Sequence, residues 1–511
     1  MGASSDSSPT RHADSIAILD PEKHAATERD HGTNIVTASE KDRDSLTTID
    51  HAAERHLIRK LDFYIVPPTM LLYLVSFLDR VNIGNARLYH MEEDLGLHGS
   101  QYQTAVSLLF VTYILCETPS NLVIKRLRPS RWIAFITFAW GVVATLTGLV
   151  QNYGGLIACR LLMGALEAGL FPGMTIYLTL FYTKREIALR VGYLFVSAAL
   201  AGSVGGLLAY GIGFMDGVAG QSGWRWIMII EGLPSVVLGI IVYFWLADAP
   251  ETAYYLSEKE RELMVLRKRR HIGHTTSGDL LHKEDVMKAL KDWKVWMFAF
   301  GQFGVDTMLY GYSTFLPTII KGLGKWSTAE TQALTVPCYA LGAITYLVVA
   351  WASDKFQHRG LAVVPFCVVS IIGYAILIAD VSPGAHYFGC FMVAIGLYVS
   401  VGIPLAWLPS NQPRYGKRTT ASGIQLTIGN AAGIMAPFLY KTNEAPRYVR
   451  GHAVSLSMVA MAGLIYTLMG VYFFGRNKSR RAGQEDSKIA GKTEEEIAEM
   501  GDENPRYMFT Y

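Results

Sequence analysis

Twelve apolar stretches, divided six and six by one long polar loop, predict an all-α membrane protein of two pseudo-symmetric six-helix bundles. Composition points the same way. Of 511 residues, 51% are hydrophobic and 17% charged, against about 25% charged in ordinary soluble chains, and the mean hydropathy is +0.24. A water-soluble chain of this length folds as roughly three domains, whose surfaces need more charge than this sequence supplies. Lipid, by contrast, solvates apolar side chains directly. The net charge of +3, from 46 basic and 43 acidic residues, is too small for nucleic-acid binding. The 48 glycines have no Gly-X-Y period, which excludes collagen; in membrane helices glycine lets neighbours approach closely.

Residues 1–60 are polar and charged, hold no apolar signal-peptide core, and read as a disordered cytosolic tail. From Leu61 onward, stretches long enough to cross about 30 Å of hydrocarbon recur at 63–89, 102–124, 132–150, 155–181, 190–213, 225–247, 293–320, 331–352, 361–379, 386–408, 420–440 and 453–475. None alternates with the period of two that a barrel requires. The spans group into blocks 61–248 and 292–476, nearly equal in length. Between them, 249–291 reads as a cytosolic central loop carrying the densest basic run, Arg267-Lys268-Arg269-Arg270; 477–511 reads as a cytosolic C-terminal tail. Two halves of six helices are the trace of a duplicated transporter architecture.

Loop charges set the orientation. Lys125, Arg126, Arg128 and Arg131 follow span two, Lys184, Arg185 and Arg190 follow span four, Lys355, His358 and Arg359 follow span eight, and Arg414, Lys417 and Arg418 follow span ten. The facing loops are poorer in basic residues, Lys441, Arg447 and Arg450 being the exceptions. The positive-inside rule then puts both termini in the cytosol. Cys116, Cys159, Cys338, Cys367 and Cys390 lie singly in apolar stretches, so neither a disulfide framework nor a zinc site is expected.

The motifs resemble the major facilitator superfamily, and within it the anion:cation symporter branch of fungal allantoate, nicotinate and pantothenate permeases. The likeness covers about 60–476 and rests on Phe77-Leu78-Asp79-Arg80-Val81-Asn82-Ile83-Gly84-Asn85-Ala86, Pro119-Ser120-Asn121, Arg160 through Gly169, and Phe171-Pro172-Gly173. Gly223-Trp224-Arg225-Trp226, Glu231-Gly232-Leu233-Pro234, Ala249-Pro250-Glu251-Thr252 and Phe315-Leu316-Pro317-Thr318 extend it. It implies proton-coupled uptake of a small organic anion by alternating access, with no cofactor, by a monomer in the plasma membrane.

Ionisable groups inside spans are the informative residues, because each is costly in lipid unless it faces a cavity or a partner. Arg160 and Glu167 are seven residues apart in span four. At about 100° per residue they share one helix face, about 10 Å apart along the axis. Gly164 between them is expected to leave that face open to a small ligand. An arginine presents a permanent planar fork to a carboxylate, and a buried glutamate can bind a proton near neutral pH. The alternative is a brace, the two pairing with each other or with Arg80 and Glu117. The same spacing followed by Phe-Pro resembles span four of the vesicular glutamate and sialic acid transporters, which implies Arg80 and Arg160 as the anion's contacts and Glu167 as the coupling acid. Their span-two histidine is replaced by an apolar residue near Val106.

Asp79 and Asp306 are further candidates for proton coupling; Asp79 can equally pack against another span, and Asp306 can discriminate substrates. Glu117 is expected to pair with a loop arginine. Tyr310, Asn411, Gln425 and Asn430 are candidates to orient substrate from the second half, with interhelical bonding as the alternative; Trp407 fits either packing or stacking. Lys125 and Arg126 after span two, and Asp354, Lys355 and Arg359 after span eight, resemble the superfamily's cytosolic latch. Gly202 and Gly206 in span five, and Gly429 and Gly433 in span eleven, repeat the same spacing and suit helices that slide or rock. No H-E-x-x-H, G-x-S-x-G, Walker or dinucleotide motif is present, which speaks against an enzyme. An exporter, a uniporter and a non-transporting nutrient sensor stay open.

Overall fold

The computed structural model describes residues 51–272, 283–356, 358–441 and 444–511; it leaves out some side chains inside helices, among them those of Lys125, Arg126 and Asp354. The chain divides into Met1–Ile58 and Arg59–Tyr511. Of the first unit only the start of a helix is described, and all other described residues belong to the second.

Twelve long helices make up the body among the described residues: α1 His51–Arg87, α2 Gln101–Arg126, α3 Pro129–Thr147, α4 Tyr153–Phe181, α5 Lys184–Gly213, α6 Gly223–Trp245, α7 Trp293–Leu323, α8 Thr328–Phe356, α9 Arg359–Ile378, α10 Pro383–Ser410, α11 Tyr415–Met435 and α12 Val449–Arg481. Helix signals in the sequence account for several starts. Asn152 Oδ1 accepts from Gly155 N at 2.9 Å to open α4, and Thr183 and Glu186 form a capping box at α5. Pro129 and Pro383 occupy first-turn positions of α3 and α10, where a missing N–H costs nothing. Among the described residues nine helices are long and apolar enough to cross a membrane. The three that fall short, α2, α7 and α11, carry polar residues towards the centre; α7 is buried along most of its length. Side chains such as Leu146, Leu207, Phe244, Ile344, Leu361 and Val471 stay exposed on the rim, where lipid replaces water.

The two halves meet at the end of the bundle where α2 begins. Ser107 Oγ on α2 donates to Ile434 O at 2.8 Å, Gln103 Nε2 reaches Tyr440 O at 3.5 Å, and Ser203 Oγ on α5 donates to Val336 O on α8 at 3.3 Å. Gly84 on α1 lies so close to α7 that a Cβ would collide with the Thr314 carbonyl. Gly202, Gly206 and Gly433 serve the same contact: a side chain there would meet Tyr339, Thr335 and Phe110 of the opposite half. Gly429 does not; it faces Asp306 and Gln302 of its own half.

Boundaries differ from the sequence expectation at both ends of the halves. Helix α1 starts before residue 60 and α12 continues beyond 476, to Arg481. The central segment 249–291 holds helices Glu258–Ile272 and Lys283–Lys291. The first is tied to the N-half by Arg267–Glu186 at 2.6 Å and Lys60–Glu260 at 2.8 Å; the second is tied to α11 through Arg414–Asp285 at 2.7 Å. Residues 485–511 form a strap across the end of the C-half. Asn411 pairs with both backbone groups of Thr510, at 2.9 and 2.8 Å, and Asn477 does the same for Phe509, at 2.8 and 2.9 Å. Trp407 Nε1 donates to Thr510 O at 2.8 Å. Asp502 meets Lys417 at 2.7 Å and Lys294 at 3.1 Å.

Burial opposes ionisation of Asp502, yet Lys417 and Lys294 outweigh it and hold the carboxyl below the usual carboxylate range. Its contribution is therefore present above the ordinary value of about 4 and fades as pH falls through the lowered folded-state value. Limited proteolysis of the C-terminus should show protection at neutral pH that is lost in acid, and Asp502→Asn should expose the strap at neutral pH, at a cost of about 3 kcal/mol. Equal protection in the variant would show that the ion pairs do not hold it.

Candidate functional site

A cavity lies between the halves, bounded by α1, α2, α4, α5, α7, α8, α10 and α11. Its walls are largely aromatic, with Tyr73, Phe77, Tyr113, Phe171, Phe195, Tyr310 and Tyr398 among them. Arg80 projects into it from α1, its guanidinium 4.6 Å from the centre of the Tyr113 ring. Arg80 Nε donates to Glu167 Oε1 at 2.7 Å, and Ser76 Oγ donates to the same oxygen. Ser76 and Arg80 are four residues apart, so one face of α1 presents both to α4. Glu167 is 1% exposed and its Oε2 has no hydrogen-bond partner among the described residues. The pair is desolvated on both sides, which makes breaking it by removing one partner strongly unfavourable.

Behind this cavity, towards the start of α2, lies a second, much smaller chamber. Phe77, Arg80 and Tyr310 line both chambers and so form the partition. Arg160 lines the inner chamber and is 1% exposed. Its Nη1 lies 3.8 Å from Met163 Sδ, while Nε and Nη2 have no hydrogen-bond partner among the described residues. Burying a guanidinium without a carboxylate is costly. Arg160 and Glu167 therefore do not brace each other: Glu167 takes Arg80, and Arg160 has no carboxylate partner among the described residues.

The remaining candidates divide. Asp306 lines the cavity and accepts at Oδ1 from Gln302 Nε2 at 2.8 Å. Tyr310 donates to Asn430 Oδ1 at 2.6 Å, and both line the cavity. Gln425 is fully buried and donates to Gln302 Oε1 at 3.2 Å, one layer behind the wall. Asp79 points away from both chambers and accepts from Trp140 at 2.9 Å and Ser235 at 3.1 Å, tying α1 to α3 and α6. Asn411 is not at the cavity; the strap claims both ends of its amide. Trp407 packs on Phe298, 5.1 Å between ring centres, and on Phe473. Glu117, expected to pair with a loop arginine, instead lines the cavity on the same half as Arg80. Gln302 and the aromatic wall carry no signal in the sequence that marks them as part of the site. Of the gating candidates, the side chains of Lys125, Arg126 and Asp354 lie outside the described residues; Lys355 stacks 4.9 Å from the centre of Trp351, and Arg359 is buried at the start of α9.

Gly164 departs most instructively from expectation. A Cβ there would collide with the Leu109 carbonyl and Thr112 Oγ1 of α2. The missing side chain is thus filled by a neighbouring helix and leaves no path for a ligand.

Family and relatives make this helical chain, with its charged, aromatic-walled cavity, a membrane transporter and not an enzyme. Residues 69–437 match the Major Facilitator Superfamily, and the chain belongs to it. An uncharacterized transporter of Schizosaccharomyces pombe is 43% identical across 84% of this chain and 86% of its own. The high-affinity nicotinic acid transporter of Saccharomyces cerevisiae is 30% identical across 96% of this chain and 90% of its own. The fold is similar to the crystal structure of a bacterial homolog of the human lysosomal transporter Spinster, inward-facing and occupied, with TM-score 0.61 and 16% identity over 79% of this chain and 96% of that one.

If Gly164 serves α2–α4 packing, Gly164→Leu should lower thermal stability in detergent by about 1–3 kcal/mol or more. A leucine variant as stable as the wild type would return that face to a ligand.

Proposed function

We propose that the protein is a proton-coupled symporter of a small organic anion, taking up a monocarboxylate such as a vitamin or ureido acid across the plasma membrane as a monomer. The observation that carries this reading is the Arg80–Glu167 pair at the cavity wall, with a second arginine, Arg160, facing no carboxylate in the chamber beyond. With both termini cytosolic, as the loop charges favour, the end where α2 begins is the extracellular one. An anion arriving from outside meets Arg160 first. Arg80 is engaged by Glu167 until a proton neutralises the glutamate; its fork is then released to the substrate carboxylate. Loss of the proton to the cytosol restores the ion pair and expels the anion. The likeness to a nicotinic acid transporter supports a small carboxylate as cargo.

Glu167→Gln mimics the protonated acid. In proteoliposomes, the wild type should accumulate a labelled monocarboxylate about tenfold per unit of inward-acid pH gradient, a tenfold ratio being worth about 1.4 kcal/mol. The glutamine variant should equilibrate and exchange the substrate without accumulating it. Accumulation that persists would remove Glu167 from coupling; a wild type indifferent to pH would make the protein a uniporter, and binding without flux a sensor. Arg160→Lys keeps the charge and loses the fork, and should weaken uptake about tenfold or more at unchanged expression. Normal apparent affinity would make Arg160 structural.

A further inference from the structure

The cavity is charged on both walls. Arg80 enters it from the N-half, and Asp306 lines it from α7 in the C-half. We infer that Asp306 is a specificity residue for the cationic end of an amphoteric substrate: a ring-bearing carboxylate that also carries a basic nitrogen, its carboxylate on Arg80 and its nitrogen on Asp306. This rests on the proposed anion transport and narrows it.

The surroundings of Asp306 are built to keep its carboxylate in place. Gln302, Asp306 and Tyr310 recur every four residues and form one polar stripe on α7. Gln425 donates to Gln302 Oε1 at 3.2 Å, which leaves the Gln302 amide N–H₂ to donate to Asp306 Oδ1 at 2.8 Å. Opposite Oδ2 stands Gly429, where any Cβ would collide with that oxygen. The glycine therefore reserves space for the acid. No ion pair joins Asp306 to a cation among the described residues. In this it differs from Glu167, whose protonation frees an arginine; protonating Asp306 frees no anion site. A carboxylate in a low-dielectric wall without a cation is costly, and a substrate ammonium or protonated ring nitrogen supplies the missing charge. The aromatic walls suit a flat ring between the two poles. Because Arg80 and Asp306 belong to different halves, such a substrate would also draw the halves together on binding.

The test compares two acids of nearly equal shape, para-methylbenzoate and para-aminomethylbenzoate, by titration calorimetry on the purified full-length chain in detergent. Charge-assisted hydrogen bonds are the strong ones, so the wild type should prefer the amino acid by about tenfold or more. Asp306→Asn should bring the ratio near one. Gly429→Ala, which leaves the acid but takes its space, should lower the ratio as well and serves where the asparagine variant does not fold. Equal affinities in the wild type, or a preference that survives in Asp306→Asn, would overturn this inference and leave the anion reading standing. Binding of neither acid would overturn both.

Discussion

Everything at the centre of this transporter depends on the cost of holding charge in a low-dielectric space. Arg80 and Glu167 face each other at 2.7 Å, with side chains 11% and 2% exposed. Neither can be left alone there without a penalty of several kcal/mol. Only exchanges that keep the site neutral are therefore cheap: the ion pair can be replaced by a protonated glutamate together with an arginine-bound anion, but not by either half of that set. In the proposed cycle, coupling follows from this requirement and needs no separate device.

The rest of the fold positions that pair and seals it. Ser76, one turn before Arg80 on α1, fixes the shared Glu167 oxygen, and Asp79 locks the other side of α1 to α3 and α6 through Trp140 and Ser235. At the end where α2 begins, Gly84 meets the Thr314 carbonyl, while Gly202, Gly206 and Gly433 receive the side chains of Tyr339, Thr335 and Phe110 from the opposite half. Glycine is required there because a Cβ at any of the four positions would collide with an atom of the opposite half. At the other end, the strap of residues 485–511 joins α7, α10, α11 and α12 by paired asparagines and buried ions.

Sequence alone reveals what the bilayer dictates. Hydrocarbon thickness sets span length, so the helices and their division into halves are readable without coordinates, and charges such as Arg80, Arg160 and Glu167 stand out because apolar neighbours surround them. Partners are harder to read. Asn411 looks like any polar residue at a span end, and only folding shows that its amide meets Thr510, 99 positions later. Gly164 and Gly429 look alike as small residues in spans, yet one is filled by a helix backbone and the other by the Asp306 carboxylate. The aromatic wall is hidden for the same reason: Phe171 and Phe195 line the cavity while Phe135 and Phe244 face outward, and nothing in composition separates them. Glu117 departs from expectation because its distance from the span end suggests a loop partner, whereas helix rotation turns it to the cavity.

If the central site stays neutral throughout, one proton accompanies each monoanion and the cycle moves no net charge. The most direct measurement is uptake of a labelled monocarboxylate that carries no basic nitrogen into proteoliposomes with a pH gradient and a potassium–valinomycin potential imposed separately. The account predicts accumulation that follows the pH gradient and ignores the potential. Accumulation that follows the potential would mean that charge crosses with the substrate, and would contradict the exchange at Arg80 and Glu167.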